Sequence, residues 1–450
     1  AKGDSLSHRF GRAKENSRQQ QSTYLAMVTA TKVTIFLFVN GLVVNGLLSH
    51  EPRLRRDQNI GDRMFASMIS DDTAENEISR RKVLGTSFGV LASGLILPQG
   101  AIANGDSIPC VPTVPVPTIR LGGGKSTLKV SRTIQGYWQL AGGHGSYREV
   151  DAIENMQAHF DAGITTLDTA DIYGPSELIV GKFVKSQPNA VPCTKFCCFR
   201  YLEDITRAEV KQRILTSCER LQVERLPLVA FFWADYSVKR YTTVALWLTE
   251  LKEQGLIQEI GATNFDLKRL KELKAAGVPL VSHQVQLSAL DRRPVQSGMT
   301  TWCAENDIST IAFGTVGSGI LSNNYLGKGP PSQDQLTTAS MRMYSKTADR
   351  FGEWSLVQEL LQTMDAIAQD IRRDGRCADA TIANVAQRFV LQTPSVASVL
   401  IGVRNQDHIS ENTRSHAFEL KQDEMDAIEK VVAKRKGPRG DVWDIERGII

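Results

Sequence analysis

The chain is poor in the features that mark a metal or nucleic-acid protein. Its seven cysteines form no Cys-x-x-Cys pair, and no histidine pair lies at zinc spacing. That argues against a metal site. Cys193, Cys197 and Cys198 cluster, but as thiols beside a strand rather than as a bridge. Adjacent Cys197 and Cys198 face opposite ways, and Cys193 and Cys197 lie about 13 Å apart on one strand face, too far to join. The net charge of +4 is small for 450 residues and gives no reason to expect a nucleic-acid partner. Long apolar runs are also missing. Val33 to Leu48 spans 16 residues, is broken by Asn40 and Asn45, and falls short of the roughly 20 needed to cross a bilayer.

What is present begins with a leader. Residues 1–26 are polar, contain Gln19-Gln20-Gln21, and read as a disordered extension. Residues 27–49 place Lys32 before an apolar core and end at Ser49, the pattern of a secretory signal peptide. A stretch retained over residues 24–48 would instead serve as an anchor. Residues 50–103 are a basic, transit-like segment followed by Ser79-Arg80-Arg81-Lys82, a mild apolar run and Ala101-Ile102-Ala103. Twin arginine, apolar run and A-x-A site in that order read as a twin-arginine export signal. Two export signals in series resemble the multi-part leader of a thylakoid-lumen protein imported into a complex plastid. A membrane-anchored or secreted protein is the other reading. Residues 104–130, Pro-rich from Cys110 to Pro117, read as a linker, and residues 436–450 as a C-terminal tail.

Between them, residues 131–435 repeat one unit. Short apolar runs at 133–140, 165–169, 191–199, 226–233, 257–262, 281–287, 309–313 and 398–403 alternate with amphipathic stretches. Strands alternating with helices imply a parallel sheet, and eight such units imply an α/β fold closed as a (β/α)8 TIM barrel. An open doubly wound sheet is the alternative. The first strand, however, is not followed by the G-x-G-x-x-G of a dinucleotide-binding half. In a barrel the chemistry gathers where strands end at their C-termini. Asp168, Tyr173 and Lys195 all fall there. A lysine beside a phenol lowers its pKa from about 10 toward the working pH, and an aspartate keeps the lysine charged and fixed. A buried Asp–Lys pair with Tyr173 as packing explains the same spacing.

The run Asp168-Thr169-Ala170-Asp171-Ile172-Tyr173-Gly174, with Gly136-Tyr137-Trp138 before it and Gly261-Ala262-Thr263-Asn264 after it, resembles the aldo/keto reductase family. The resemblance covers about residues 118–435. It implies hydride transfer from NADP(H), with NAD(H) as the alternative, to a small-molecule carbonyl substrate. Tyr173 is then the proton donor, Lys195 tunes it and Asp168 holds Lys195. The cofactor residues it implies begin with Gly136, Trp138, Asp168, Thr263, Asn264 and Gln284. Phe313 and Gly314 follow at the nicotinamide ring. Gly402, Arg404, His408, Glu411 and Asn412 lie at the adenosine phosphate end. Arg404 is the candidate partner of a 2′-phosphate. His408 stands where the family often has arginine.

One departure matters most. The fourth strand reads Phe231-Phe232-Trp233, and Phe232 takes the place of the family's catalytic histidine. Phenylalanine has no donor. Loss of one donor at a developing alkoxide costs about 2.7–4 kcal/mol of barrier. Weakened or altered activity follows, or else a non-catalytic NADP(H)-binding barrel with a redox-responsive or scaffold role.

Overall fold

The computed structural model of the chain describes residues 114–449. The leader, with its disordered, signal and twin-arginine segments, lies outside the described residues. Among the described residues, no helix is long and apolar enough to cross a membrane.

Ten strands are described: β1 (Thr118–Arg120), β2 (Lys129–Ser131), β3 (Thr133–Gly136), β4 (Thr166–Asp168), β5 (Val191–Cys198), β6 (Leu226–Trp233), β7 (Ile257–Thr263), β8 (Leu280–Gln286), β9 (Ser309–Phe313) and β10 (Val396–Gly402). Strands β3 to β10 pair in parallel and close into a barrel in the order β10-β3-β4-β5-β6-β7-β8-β9. The helices are α1 (Glu149–Asp161), α2 (Ser176–Ser186), α3 (Arg207–Leu221), α4 (Tyr241–Glu253), α5 (Leu267–Ala275), α6 (Arg293–Gln296), α7 (Met299–Glu305), α8 (Ala339–Phe351), α9 (Trp354–Arg373), α10 (Ile382–Leu391), α11 (Ile409–Arg414) and α12 (Gln422–Val432). The (β/α)8 barrel expected from the alternation is therefore present.

Local chemistry sets the element ends. Thr206 opens α3 with a capping box: its hydroxyl accepts from the Glu209 amide at 3.2 Å, and Glu209 accepts from the Thr206 amide at 2.8 Å. The first barrel strand stops at Gly136, short of the expected Leu140. The chain turns there into a 3-10 turn over Trp138–Ala141, followed by Gly142 and Gly143 in left-handed conformations. Between β8 and β9, α6 and α7 are separated by Gly298, whose φ is +75°.

The expected linker 104–130 holds a structured element in its second half. Strands β1 and β2 pair antiparallel as a hairpin. Its Leu121, Leu128 and Val130 pack on Ile134, Cys193, Leu228 and Ile311, which point into the barrel from the lower ends of their strands. The Gly122 amide donates to the Val281 carbonyl at 3.1 Å, and the Ser126 hydroxyl donates to Glu259 at 2.6 Å. The hairpin stops the floor of the barrel, opposite the end where strand C-termini gather. The larger cores lie between strands and helices, one around Phe231, Trp233 and Phe265, the other around α9, α10 and α12.

Candidate functional site

The register of three neighbouring strands builds the centre of the site. Asp168 ends β4 beside Cys193 of β5, and Lys195 lies two residues further along β5. Residues two apart share a strand face. Lys195 therefore points into the barrel as Cys193 does, two residues nearer the upper mouth. Its ammonium donates to Asp168 Oδ1 and, at 2.8 Å, to the Thr169 carbonyl. The second oxygen of Asp168 accepts from Gln284 Nε2 at 2.8 Å. Asp168 and Lys195 are buried, 5% and 6% exposed, so the pair is held in a low dielectric.

Tyr173 follows in the turn after β4. The Lys195 ammonium lies 5.1 Å from the centre of its ring. That turn is fastened by Asp171, which takes the Cys197 amide at 3.2 Å and pairs with Arg213 of α3. Arg213 also donates to the Cys197 carbonyl at 2.7 Å. Asp171, Cys197 and Arg213 thus hold the phenol-bearing turn on β5. Arg213 is one positioning residue the sequence pattern did not flag, because it sits on the buried face of an otherwise charged helix.

The phenol is not brought toward neutral pH. Burial pushes Tyr173 up to about 12, and the nearby Lys195 charge offsets that only in part. Burial removes the water that would stabilise a phenolate, and Asp168 adds a like charge. Tyr173 is consequently a fully protonated phenol, which suits a donor. Burial also raises the Cys193, Cys197 and Cys198 thiols, so they are inert packing groups.

Phe232 pairs with Cys197 across β5 and β6, one step above the Lys195–Ala230 pair, and shares the inward face. Its ring lies 4.9 Å from Phe199 and 5.4 Å from Trp443. The position that could carry an imidazole is thus an aromatic wall.

The residues expected at a cofactor come to the opposite side of the mouth. Thr263 pairs with Gln284 across β7 and β8, and its hydroxyl donates to the Gln284 carbonyl at 3.0 Å. Asn264 follows in the left-handed region, φ +56°, with its side-chain oxygen buried and without a partner among the described residues. Thr315 Oγ1, after Phe313 and Gly314, is orphaned in the same way. A carboxamide that both donates and accepts would satisfy such atoms, so the residues present fit a nicotinamide. Tyr344 of α8 packs on Gly314, where an added Cβ would meet its ring at 2.5 Å. Burial raises its phenol, and the nearby Tyr173 adds to that. The excursion that follows β9 thus contributes a helix and a phenol to the mouth.

Gly136 and Trp138 sit at the end of β3. An added Cβ at Gly136 would meet Leu400 Cδ2 at 2.5 Å, so a larger residue there would have to displace the Leu400 side chain of β10. Trp138 stacks edge-on against His144 at 4.9 Å. Gly402 ends β10 and Arg404 and His408 follow it, all three exposed. His408 pairs with Glu411 at 3.0 Å, Glu411 accepts from Thr381 at 2.9 Å, and Asn412 accepts from Gln387 at 3.1 Å. A small cleft of about 140 Å³ lies between the 3-10 turn, His144, Val403 and Arg404. Among the described residues no group of His, Cys, Asp or Glu could hold a metal ion.

The sequence model of the aldo/keto reductase family matches residues 133–433. The chain is 25% identical over 341 residues to the chloroplastic pyridoxal reductase of Arabidopsis thaliana, covering 71% of this chain and 87% of that protein. It is 27% identical over 291 residues to the aldo-keto reductase YhdN of Bacillus subtilis, covering 62% and 82%. Among solved structures, a glycerol dehydrogenase from Gluconobacter oxydans superposes with a TM-score of 0.58 at 21% identity, covering 72% of this chain and 97% of that one. The holo form of an aldo-keto reductase from Bacillus halodurans gives 0.55 at 23% identity, covering 70% and 96%.

Proposed function

The chain belongs to the aldo/keto reductase family of oxidoreductases, and on that premise we propose that it reduces a small carbonyl compound at the expense of NADPH. The family binds NAD(P)(H) and acts on small carbonyl substrates. The observation that carries the reading is the buried Asp168–Lys195 pair beside a protonated Tyr173, facing the orphaned polar atoms of Asn264 and Thr315.

The bound nicotinamide supplies the hydride. The chain's own residues do the rest. Tyr173 holds the proton that neutralises the developing alkoxide. Lys195 supplies the nearby positive charge that favours phenolate once the proton has left. Asp168 keeps Lys195 charged and aimed, and Gln284 holds the second Asp168 oxygen. Asn264 and Thr315 present acceptors and donors to the carboxamide. Arg404, exposed at the adenosine end, offers a bidentate partner to a 2′-phosphate, which favours NADPH over NADH.

Phe232 removes one of the two donors expected at the carbonyl, so turnover is lower by on the order of 100- to 1,000-fold than with a histidine there. The same residue favours a second reading, a non-catalytic NADP(H)-binding barrel with a redox-responsive or scaffold role. NADPH oxidation with a panel of aldehydes and quinones separates the two, with pyridoxal included because of the Arabidopsis relative. The expected result is slow turnover, abolished in Tyr173→Phe and accelerated in Phe232→His. Tight NADPH binding with no turnover of any compound overturns the reductase reading. The leader further supports delivery to the thylakoid lumen of a plastid. A mature N-terminus mapped upstream of Arg80, or a stromal location on fractionation, overturns that.

A further inference from the structure

We infer that Trp443 and Arg447, in the tail beyond α12, form an oxygen-binding site for the far end of an aromatic carbonyl substrate. The inference rests on the mouth being the carbonyl pocket proposed above.

The tail returns to the mouth and is fastened there by several bonds. The Leu267 amide, at the start of α5, donates to Asp441 at 2.9 Å. Arg293, after β8, holds Glu446 with two bonds of 2.9 and 3.0 Å. Arg447 Nη2 and Nε donate to the Trp233 and Ala234 carbonyls at the end of β6, at 2.9 and 3.2 Å. Trp443 and Arg447 are each 4% exposed. Trp443 is held at φ +63°, a conformation that an indole side chain disfavours.

Two donors are left over. Trp443 Nε1 and Arg447 Nη1 are buried and have no hydrogen-bond partner among the described residues. Both groups flank the residue that replaces the histidine: the indole is 5.4 Å from the Phe232 ring, and the guanidinium 5.4 Å from the same ring. Tyr236 lies 4.2 Å below the guanidinium, and Phe199 closes the other side of Phe232. Buried donors without partners are rare, and a pair of them flanking Phe232 at the C-terminal end of β6 points to an acceptor brought in from outside. Indole and guanidinium donate but do not accept, so the incoming group is an acceptor oxygen. Asp266, Asp444 and Glu446 bear on the same guanidinium, so the site suits a neutral oxygen rather than an anion. The surrounding rings favour a flat aromatic body. The substrate class is therefore an aryl aldehyde, aryl ketone or quinone with a second oxygen away from the reacting carbon.

The test compares 4-acetylbenzaldehyde with 4-isopropylbenzaldehyde, alike in shape but differing in the distal oxygen. Binding of each to the full chain loaded with NADP+ is measured by titration calorimetry, so no turnover is required. The acetyl compound is expected to bind about tenfold tighter. Trp443→Phe, which keeps a ring and loses the donor, should erase most of that preference, and Arg447→Met the rest. Arg447→Lys should restore part of it. If Arg447→Met melts the tail, seen as a lowered Tm, Trp443→Phe alone carries the test. Equal binding by the wild type, as a trapped water on the two donors would give, overturns the inference. So does an undiminished preference in Trp443→Phe. Preferential binding together with no turnover of any compound of the NADPH panel sinks the reductase reading and leaves the site standing.

Discussion

In the proposed reduction Tyr173 gives up a proton, and its burial sets how tightly that proton is held. With the phenol pushed up to about 12, the donor form persists throughout the neutral and mildly alkaline range. Carbonyl reduction is expected to show no loss from ionisation of Tyr173 between about pH 7 and pH 10. A steady-state pH profile checks this, and a decline centred near pH 8 that vanishes in Tyr173→Phe contradicts it. Lys195 supports a second prediction. Lys195→Met leaves Asp168 buried beside an apolar chain, which costs about 3–5 kcal/mol of stability. Urea denaturation measures it, and a loss below 1 kcal/mol would mean that the pair is not the anchor described here. Asp168, Tyr173 and Lys195 were legible in the sequence because their spacing matches strand ends. The direction of the phenol's shift was not. It depends on how much water three neighbouring strands and α8 exclude, and no local pattern records that.

The contact of α2 with α3 depends on one small residue. Gly181 faces the last turn of α3, where an added Cβ would press on the Arg220 carbonyl oxygen and lie 2.9 Å from Leu221 Cα. Backbone cannot move aside as a side chain can. Gly181→Ala is expected to cost about 1–3 kcal/mol, read as a fall in Tm. An unchanged Tm would show that the two helices can part without penalty. Helix periodicity and caps made α1, α3, α4 and α9 readable almost to the residue. Helix α8 was not readable, because it lies inside a long polar excursion. Its Thr338 cap and buried Tyr344 and Phe351 acquire meaning only against the barrel mouth. Helix α12 was passed over for the opposite reason: it is an ordinary amphipathic helix that no following strand announces.

At the scale of the whole barrel, among the described residues, His283 and His416 each contribute to the response to acid. Burial holds His283 down to about 3 and His416 to about 4. His283 Nε2 faces the Phe265 amide at 3.1 Å and His416 Nε2 the Thr133 hydroxyl at 2.8 Å, ties that link α5 to β8 and the segment after α11 to β3. In the unfolded chain a histidine takes up its proton near pH 6.5. The unfolded state therefore binds more protons between there and the folded values, and this contribution to stability is lost as the pH falls through that window. The urea midpoint is expected to drop between pH 7.5 and pH 5, and His283→Gln to flatten the drop. A midpoint that falls equally in wild type and variant overturns the assignment. The closed ring of eight strands could be read from alternation alone. The departures lie at its two ends, in the hairpin below and the tail above, where contacts join segments far apart in the chain.

The hairpin has a practical corollary for anyone handling the protein. It begins at Thr118, ahead of the stretch the family shares, which starts at residue 133. A recombinant fragment trimmed to the shared stretch would be uncorked at its base. Ile134, Cys193, Leu228 and Ile311 would face solvent, and such a fragment should clump during purification even though Asp168, Tyr173 and Lys195 are all retained.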